Sequence, residues 1–158
     1  MPQDLCLAEC LTLRETLTFY SNLYGCGENL DAFMDIVNIL DMEKRLDQLL
    51  STMSQGQKRR VSFCCAVGAV NTNTTHSKLM ILDEPTVGMD PELRETVWNF
   101  LREVTSSKDV TTIITTHYIQ EAEQAAKVGF LRNHELHFWK EKTRRGKVDH
   151  TTPNPKFL

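Results

Sequence analysis

The stretch LMILDEPTVGMDP, Leu79 to Pro91, decides the fold. The apolar residues Leu79–Leu82 run into Asp83 and Glu84, and Pro85, Gly88 and the Asp90-Pro91 pair then turn the chain. A short apolar run closed by turn residues reads as a buried strand, here 79–83, that delivers two adjacent carboxylates to a loop. Such a pair is costly in a buried place unless metal, water or cations answer it. The chemistry that uses it holds Mg²⁺ beside a phosphate and aims a water at the phosphorus. A surface Asp-Glu turn, the bland alternative, fits the preceding apolar run poorly.

Working outward, Asp90 is placed to N-cap a helix over 91–105, with Pro91 at its first position. A strand at 110–116, a helix at 119–126 and a hairpin-like pair at 128–132 and 135–139 follow. This alternation argues an α/β fold with a parallel sheet. Upstream, Thr12 and Glu15 form a capping box for a helix to about Tyr24, with Leu13, Leu17, Tyr20 and either Leu23 or Tyr24 inward. Gly25 and Gly27 end it. A second helix runs from about Asn29 to Asp41 and carries Leu30, Phe33, Met34, Val37 and Leu40. A short helical stretch covers 43–50, and a longer helix covers about Gln55 to Val70. NTNTTHS, 71–77, is a polar loop. KEKTRRGKVDHTTPNPKFL, after Trp139, turns basic and then polar, so 141–158 is expected to be a disordered tail.

Composition excludes several classes. With 158 residues, 41% hydrophobic and 25% charged, the chain can bury a core. No apolar run approaches the ~20 residues of a membrane helix, and the residues after Met1 do not read as a secretory signal. A net charge of −3 makes no electrostatic case for nucleic acid. Five cysteines at 6, 10, 26, 64 and 65 have no paired CxxC spacing, so reduced thiols are expected rather than zinc or disulfides.

Four segments in order carry a resemblance: Met1-Pro2-Gln3, MSQGQKRRVSF (Met53–Phe63), LDEPTVGMDP and TTHYIQEA. They resemble the Q-loop, the LSGGQ signature, Walker B with its D-loop, and the His switch of the ATP-binding cassette (ABC) transporter ATPases, in wording closest to subfamilies G and H. The resemblance spans roughly residues 1–138. It implies a P-loop NTPase-like (RecA-like) parallel sheet with an α-helical subdomain over about 12–52, and a signature helix with α/β core over 53–140. It also implies ATP and Mg²⁺ as cofactors, a head-to-tail dimer with a second ABC ATPase domain, and an ABC transmembrane domain as partner at the cytoplasmic face of a membrane.

Glu84 is the expected catalytic carboxylate and Asp83 the Mg²⁺ ligand. Ser54 with Gln57 is a capping box that a plain helix start explains, yet a capped helix end is also an anion site. The resemblance maps phosphate contact in the opposing subunit onto Ser54, Gln55, Gly56 and Gln57. Gln55 replaces a glycine and serves if its φ is negative. Lys58, Arg59 and Arg60 fit a solvated helix face as well as a functional one. A lone His at a strand end is usually structural; the TTHY context makes His117 a γ-phosphate contact by resemblance. His76, His134, His137 and His150 lack such context and are expected at the surface. Asp90 adds a D-loop role to its capping role, and Gln3 would touch Mg²⁺ and the attacking water.

GxxxxGK[ST], the phosphate-cradling Walker A loop, occurs nowhere in these 158 residues. The expectation is a cassette incomplete at its N-terminus, with Met1 an internal residue of the family pattern, apolar sheet surface left unpaired, and no activity of the chain alone. Two alternatives stand beside it: a non-catalytic module that pairs with a complete cassette, and a soluble ABC ATPase outside transport.

Overall fold

Helix α1 (Leu13–Leu23) begins where its capping box puts it. The Glu15 amide donates to Thr12 Oγ1 at 3.2 Å, and the Thr12 amide donates to Glu15 Oε2 at 2.8 Å. Leu13 and Leu17 are buried; Leu23 is 65% exposed while Tyr24 is half-buried, so the helix rolls toward Tyr24. Helix α2 (Asp31–Ile39) buries Phe33, Ile36 and Val37, with Leu40 just beyond. The computed structural model describes residues 1–2, 5–27, 30–71, 79–107, 110–133, 135–142 and 148–149. Residues 43–50 do not form one helical stretch; two 3₁₀ turns, Glu43–Arg45 and Leu50–Thr52, bracket a turn that ends in the extended residue Leu49. The reason lies in tertiary hydrogen bonds: Gln48 O and Leu46 O accept from the amides of Leu13 and Arg14, and the Leu50 amide donates to Leu11 O. Backbone groups used this way are not available to a helical ladder.

Helix α3 (Gln55–Asn71) is the centre of the core. Val61, Phe63, Cys64, Cys65, Val67 and Val70 are all buried, and a helix apolar on most sides is one enclosed by neighbours. It packs on α1 and α2. Burial pushes the Cys64 thiol up to about 12, as fits a small core hydrophobe. Gly68 has no room for a side chain, because a Cβ there would fall inside the Phe33 ring. Gly68→Ala is therefore expected to cost about 1–3 kcal/mol, read by urea denaturation. Phe33→Leu in the same chain should recover part of that cost; a Gly68→Ala midpoint equal to wild type would contradict this packing.

Strands β1 (Leu79–Asp83) and β2 (Thr111–Thr115) pair in parallel, with Ile81 beside Ile113 and Asp83 beside Thr115. Helix α4 (Pro91–Ser107) connects them and buries Val97, Phe100, Leu101 and Val104. Met80 and Leu82 face the core, whereas Leu79, Ile81 and Ile113 on the other face are 50%, 55% and 50% exposed. Among the described residues, Met1 meets the outer edge of β1: its amino group donates to Ile81 O at 2.7 Å, and the Asp83 amide donates to Met1 O at 3.0 Å. Parallel sheets are ordinarily covered on both faces, and open apolar ones associate. The purified chain is expected to self-associate with rising concentration in sedimentation velocity, and Ile81→Lys with Ile113→Lys should restore a monomer of unchanged circular dichroism. A wild-type chain monomeric at ~100 μM would contradict this.

The chain divides into two compact units, Met1–Thr115 and Thr116–Leu158. In the second unit, helix α5 (Ile119–Ala122) is shorter than the expected 119–126, because i→i−3 hydrogen bonds from Gln124 and Ala125 tighten the chain into turns. Strands β3 (Lys127–Arg132) and β4 (Glu135–Lys142) form the expected antiparallel hairpin, with Asn133 at φ 49° in its turn. A short β5 (Val148–Asp149) pairs with the end of β4. Glu141, Lys142, Val148 and Asp149 are thus strand where a tail was expected; 143–147, 150–158 and the loop at 71–77, all but Asn71, lie outside the described residues. Among the described residues no helix is long and apolar enough to cross a membrane.

Candidate functional site

Strand β1 ends at Asp83, and the next residue breaks the extended conformation: Glu84 has φ +48°, the left-handed region. A non-glycine residue there is strained by roughly 1–2 kcal/mol, so its surroundings must hold it. Two neighbours do. The Glu84 amide donates to both the carbonyl and the hydroxyl oxygen of Thr115, each at 3.1 Å. The Thr115 hydroxyl in turn donates to Asp83 Oδ1 in a short hydrogen bond. From the other side, Arg59 Nη2 donates to Asp83 O at 2.7 Å and Glu84 O at 2.5 Å. The two carboxylate-bearing residues are therefore fixed through backbone and hydroxyl contacts.

The loop that follows is packed rather than loose. Pro85, Thr86 and Met89 are buried, and Gly88 takes φ +78°. Asp90 caps α4 as expected, its Oδ1 accepting from the Leu93 amide at 2.9 Å. That amide hydrogen bond, with Arg60 nearby at 3.8 Å, holds the Asp90 carboxyl below its usual range.

At the start of α3 the capping box is real: the Gln57 amide donates to Ser54 Oγ at 3.3 Å and the Ser54 amide to Gln57 Oε1 at 2.9 Å. Gln55 lies in the first helical turn and is not among the positive-φ residues, so no glycine is required for its conformation. Gly56 lies close to the loop after Glu84. A Cβ there would stand 3.3 Å from Gly88 O, so the signature and the loop after Glu84 touch directly. A cleft of about 520 Å³ lies between residues 5–9, Gln55–Gly56 and Val87–Gly88.

The solvated-face reading of Lys58–Arg60 is corrected. Lys58 and Arg59 are each only 7% exposed. Lys58 Nζ pairs with Glu9 at 2.5 Å, and Arg60 Nη1 donates to Leu40 O at 3.2 Å. Their partners lie far away in sequence, so no local pattern announced them. Thr115 was visible in TTHY but read only as a strand former.

Asp83, Glu84, Ser54–Gln57 and Asp90 belong to one compact unit, and His117 to the other. The His117 ring is exposed and lies 4.1 Å, centroid to centroid, from Tyr118. Its turn is locked by Thr116, whose hydroxyl donates to the buried Glu121 at 2.8 Å and accepts from the Tyr118 amide at 3.1 Å. Gln3 lies outside the described residues, as do His76, His134 and His150; His137 is exposed on β4.

A family model described as "AAA domain, putative AbiEii toxin, Type IV TA system" matches residues 14–120. The chain is 39% identical over 135 residues to ABC transporter G family member 23 of Dictyostelium discoideum, across 84% of this chain and 18% of that protein. It is 34% identical to ATP-binding cassette sub-family A member 10 of Homo sapiens, across 77% of this chain and 8% of the relative. The chain belongs to the AAA-domain family of that model, and the curated proteins it resembles are ABC transporter family members.

The solved structures agree on the fold of the cassette. An ATP-binding subunit of an ABC transporter superposes with a TM-score of 0.69 at 22% identity, over 85% of this chain and 55% of that one. A dimeric bacterial ABC transporter cassette gives 0.69 at 19% identity, over 85% and 58%. The fold is that of the P-loop NTPase cassettes, in part. The chain thus spans under a fifth of the length of the first of these relatives and a little over half of these solved chains.

Proposed function

We propose that this chain is the water-activating part of an ATP-hydrolysing ABC cassette. The observation that carries the reading is the end of β1, where Asp83 and Glu84 are presented to a loop and held from two sides by Thr115 and Arg59. Glu84 accepts the proton of a water attacking the γ-phosphorus. Asp83 fits Mg²⁺: its oxygen is oriented by a hydroxyl, and this cation is commonly bound through one or two carboxylates plus substrate phosphates rather than a full protein cage. Among the described residues no cluster of three or more His, Cys, Asp or Glu is present, which suits that mode. When bound, Mg²⁺ supplies charge neutralisation at the phosphates.

The remaining residues act on position. The capped end of α3, with Ser54, Gln55, Gly56 and Gln57, offers amides and a positive helix end to a phosphate carried by a second cassette in a head-to-tail dimer. Asp90 faces that second cassette, His117 hydrogen-bonds the γ-phosphate, and Gln3 completes the contacts to Mg²⁺ and water. A transmembrane partner at the cytoplasmic face of a membrane uses the cycle to move a small or lipid-like substrate. The test is Mg-ATP hydrolysis by the native transporter complex with Glu84→Gln, where turnover near wild type would end the reading.

A second reading rests on the capped end of α3, where Ser54 and Gln57 exchange hydrogen bonds. In it, the chain lends its signature to the ATP site of a complete cassette and hydrolyses nothing itself. ATP-dependent pairing with such a cassette that is indifferent to Glu84→Gln would select it.

A further inference from the structure

We infer that Arg59 is the positioning residue that sets the backbone of Glu84; the catalytic meaning of this rests on the reading of Glu84 above. A single guanidinium nitrogen, Nη2, reaches two successive carbonyls, 2.7 Å to Asp83 O and 2.5 Å to Glu84 O. Two adjacent carbonyl oxygens converge on one donor only if the backbone between them departs from the extended form, and Glu84 at φ +48° is that departure. Arg59 is itself held: it is 7% exposed and sits on α3 beside Lys58, whose ion pair with Glu9 ties down the same turn of helix. A charged donor in a buried place makes strong hydrogen bonds and counters the repulsion between the two oxygens. The Val87 amide adds a third bond to Glu84 O at 3.3 Å. Without Arg59 that bond and those from Thr115 remain, but the donor shared by the Asp83 and Glu84 carbonyls is lost.

The position has a consequence for the site. Arg59 lies on the helix whose capped end begins at Ser54. One rigid element therefore carries both the anion-binding end and the clamp on Glu84. A displacement of Glu84 by about 1 Å costs on the order of a hundredfold in rate where geometry governs the attack.

The experiment needs no nucleotide. In the 158-residue chain, the three-bond HN–Hα coupling and Cα shift of Glu84 report its φ. They are compared in wild type, Arg59→Lys and Arg59→Met. We expect the left-handed signature in wild type, its retention in the lysine variant, and its loss in a folded methionine variant. If the methionine variant fails to fold, a folded lysine variant that keeps the signature supports the inference. A folded methionine variant that keeps the signature overturns it, as does a folded lysine variant that loses it, or the unfolding of both. Failure of the catalytic reading shows separately, in the turnover of Glu84→Gln.

Discussion

On the proposed function, Glu84→Gln in the native transporter complex is expected to lower Mg-ATP hydrolysis by ~10²–10⁴, the usual worth of general-base help. The substitution keeps the shape of the side chain and removes its capacity to take a proton. The hydrogen bonds that Thr115 and Arg59 make with this residue meet its amide and its carbonyl. The loop should therefore keep its conformation, and the loss should fall on kcat while KM for ATP moves little. An equal fall in ATP affinity would point to a binding role instead. Asp83→Asn offers the contrasting case, because Asp83 Oδ1 is engaged by the Thr115 hydroxyl. Its loss should show in the Mg²⁺ dependence of turnover as well as in rate.

What could be read from the sequence was whatever depends on near neighbours. The capping boxes Thr12/Glu15 and Ser54/Gln57, and the Asp90-Pro91 start of α4, rest on groups three residues apart, and the structure realises all three. Strand β1 and the hairpin β3–β4 likewise follow from local pattern and turn chemistry. What stayed hidden depends on distant partners. Lys58 reads as a surface cation until Glu9, 49 residues away, is brought beside it. Arg59 reads the same way until the carbonyls of Asp83 and Glu84, 24 and 25 residues away, turn toward it. The 43–50 stretch carried helical residues, but its backbone is used by the start of α1. The left-handed conformation of Glu84 could not be foreseen from a residue type that rarely adopts it.

The site has a physical asymmetry that sets its second large prediction. The residues proposed to activate water and orient a cation are here, whereas a glycine-rich loop with lysine, which supplies most of the hold on β- and γ-phosphates, is absent from the 158 residues. The capped end of α3 does not replace it. One helix end carries roughly half a charge, and the proposed ligand of this one belongs to a second cassette. Carboxylates at Asp83 and Glu84 repel a bare triphosphate, so binding through them alone is unfavourable. By itself the chain should neither hold ATP nor turn it over, while keeping its fold.

The most direct test is an equilibrium titration of the purified 158-residue chain with Mg-ATP, paired with a phosphate-release assay on the same sample. The account predicts no saturable binding at micromolar ATP and release at the background of Glu84→Gln. Micromolar affinity, or turnover by the chain alone that Glu84→Gln abolishes, would contradict it.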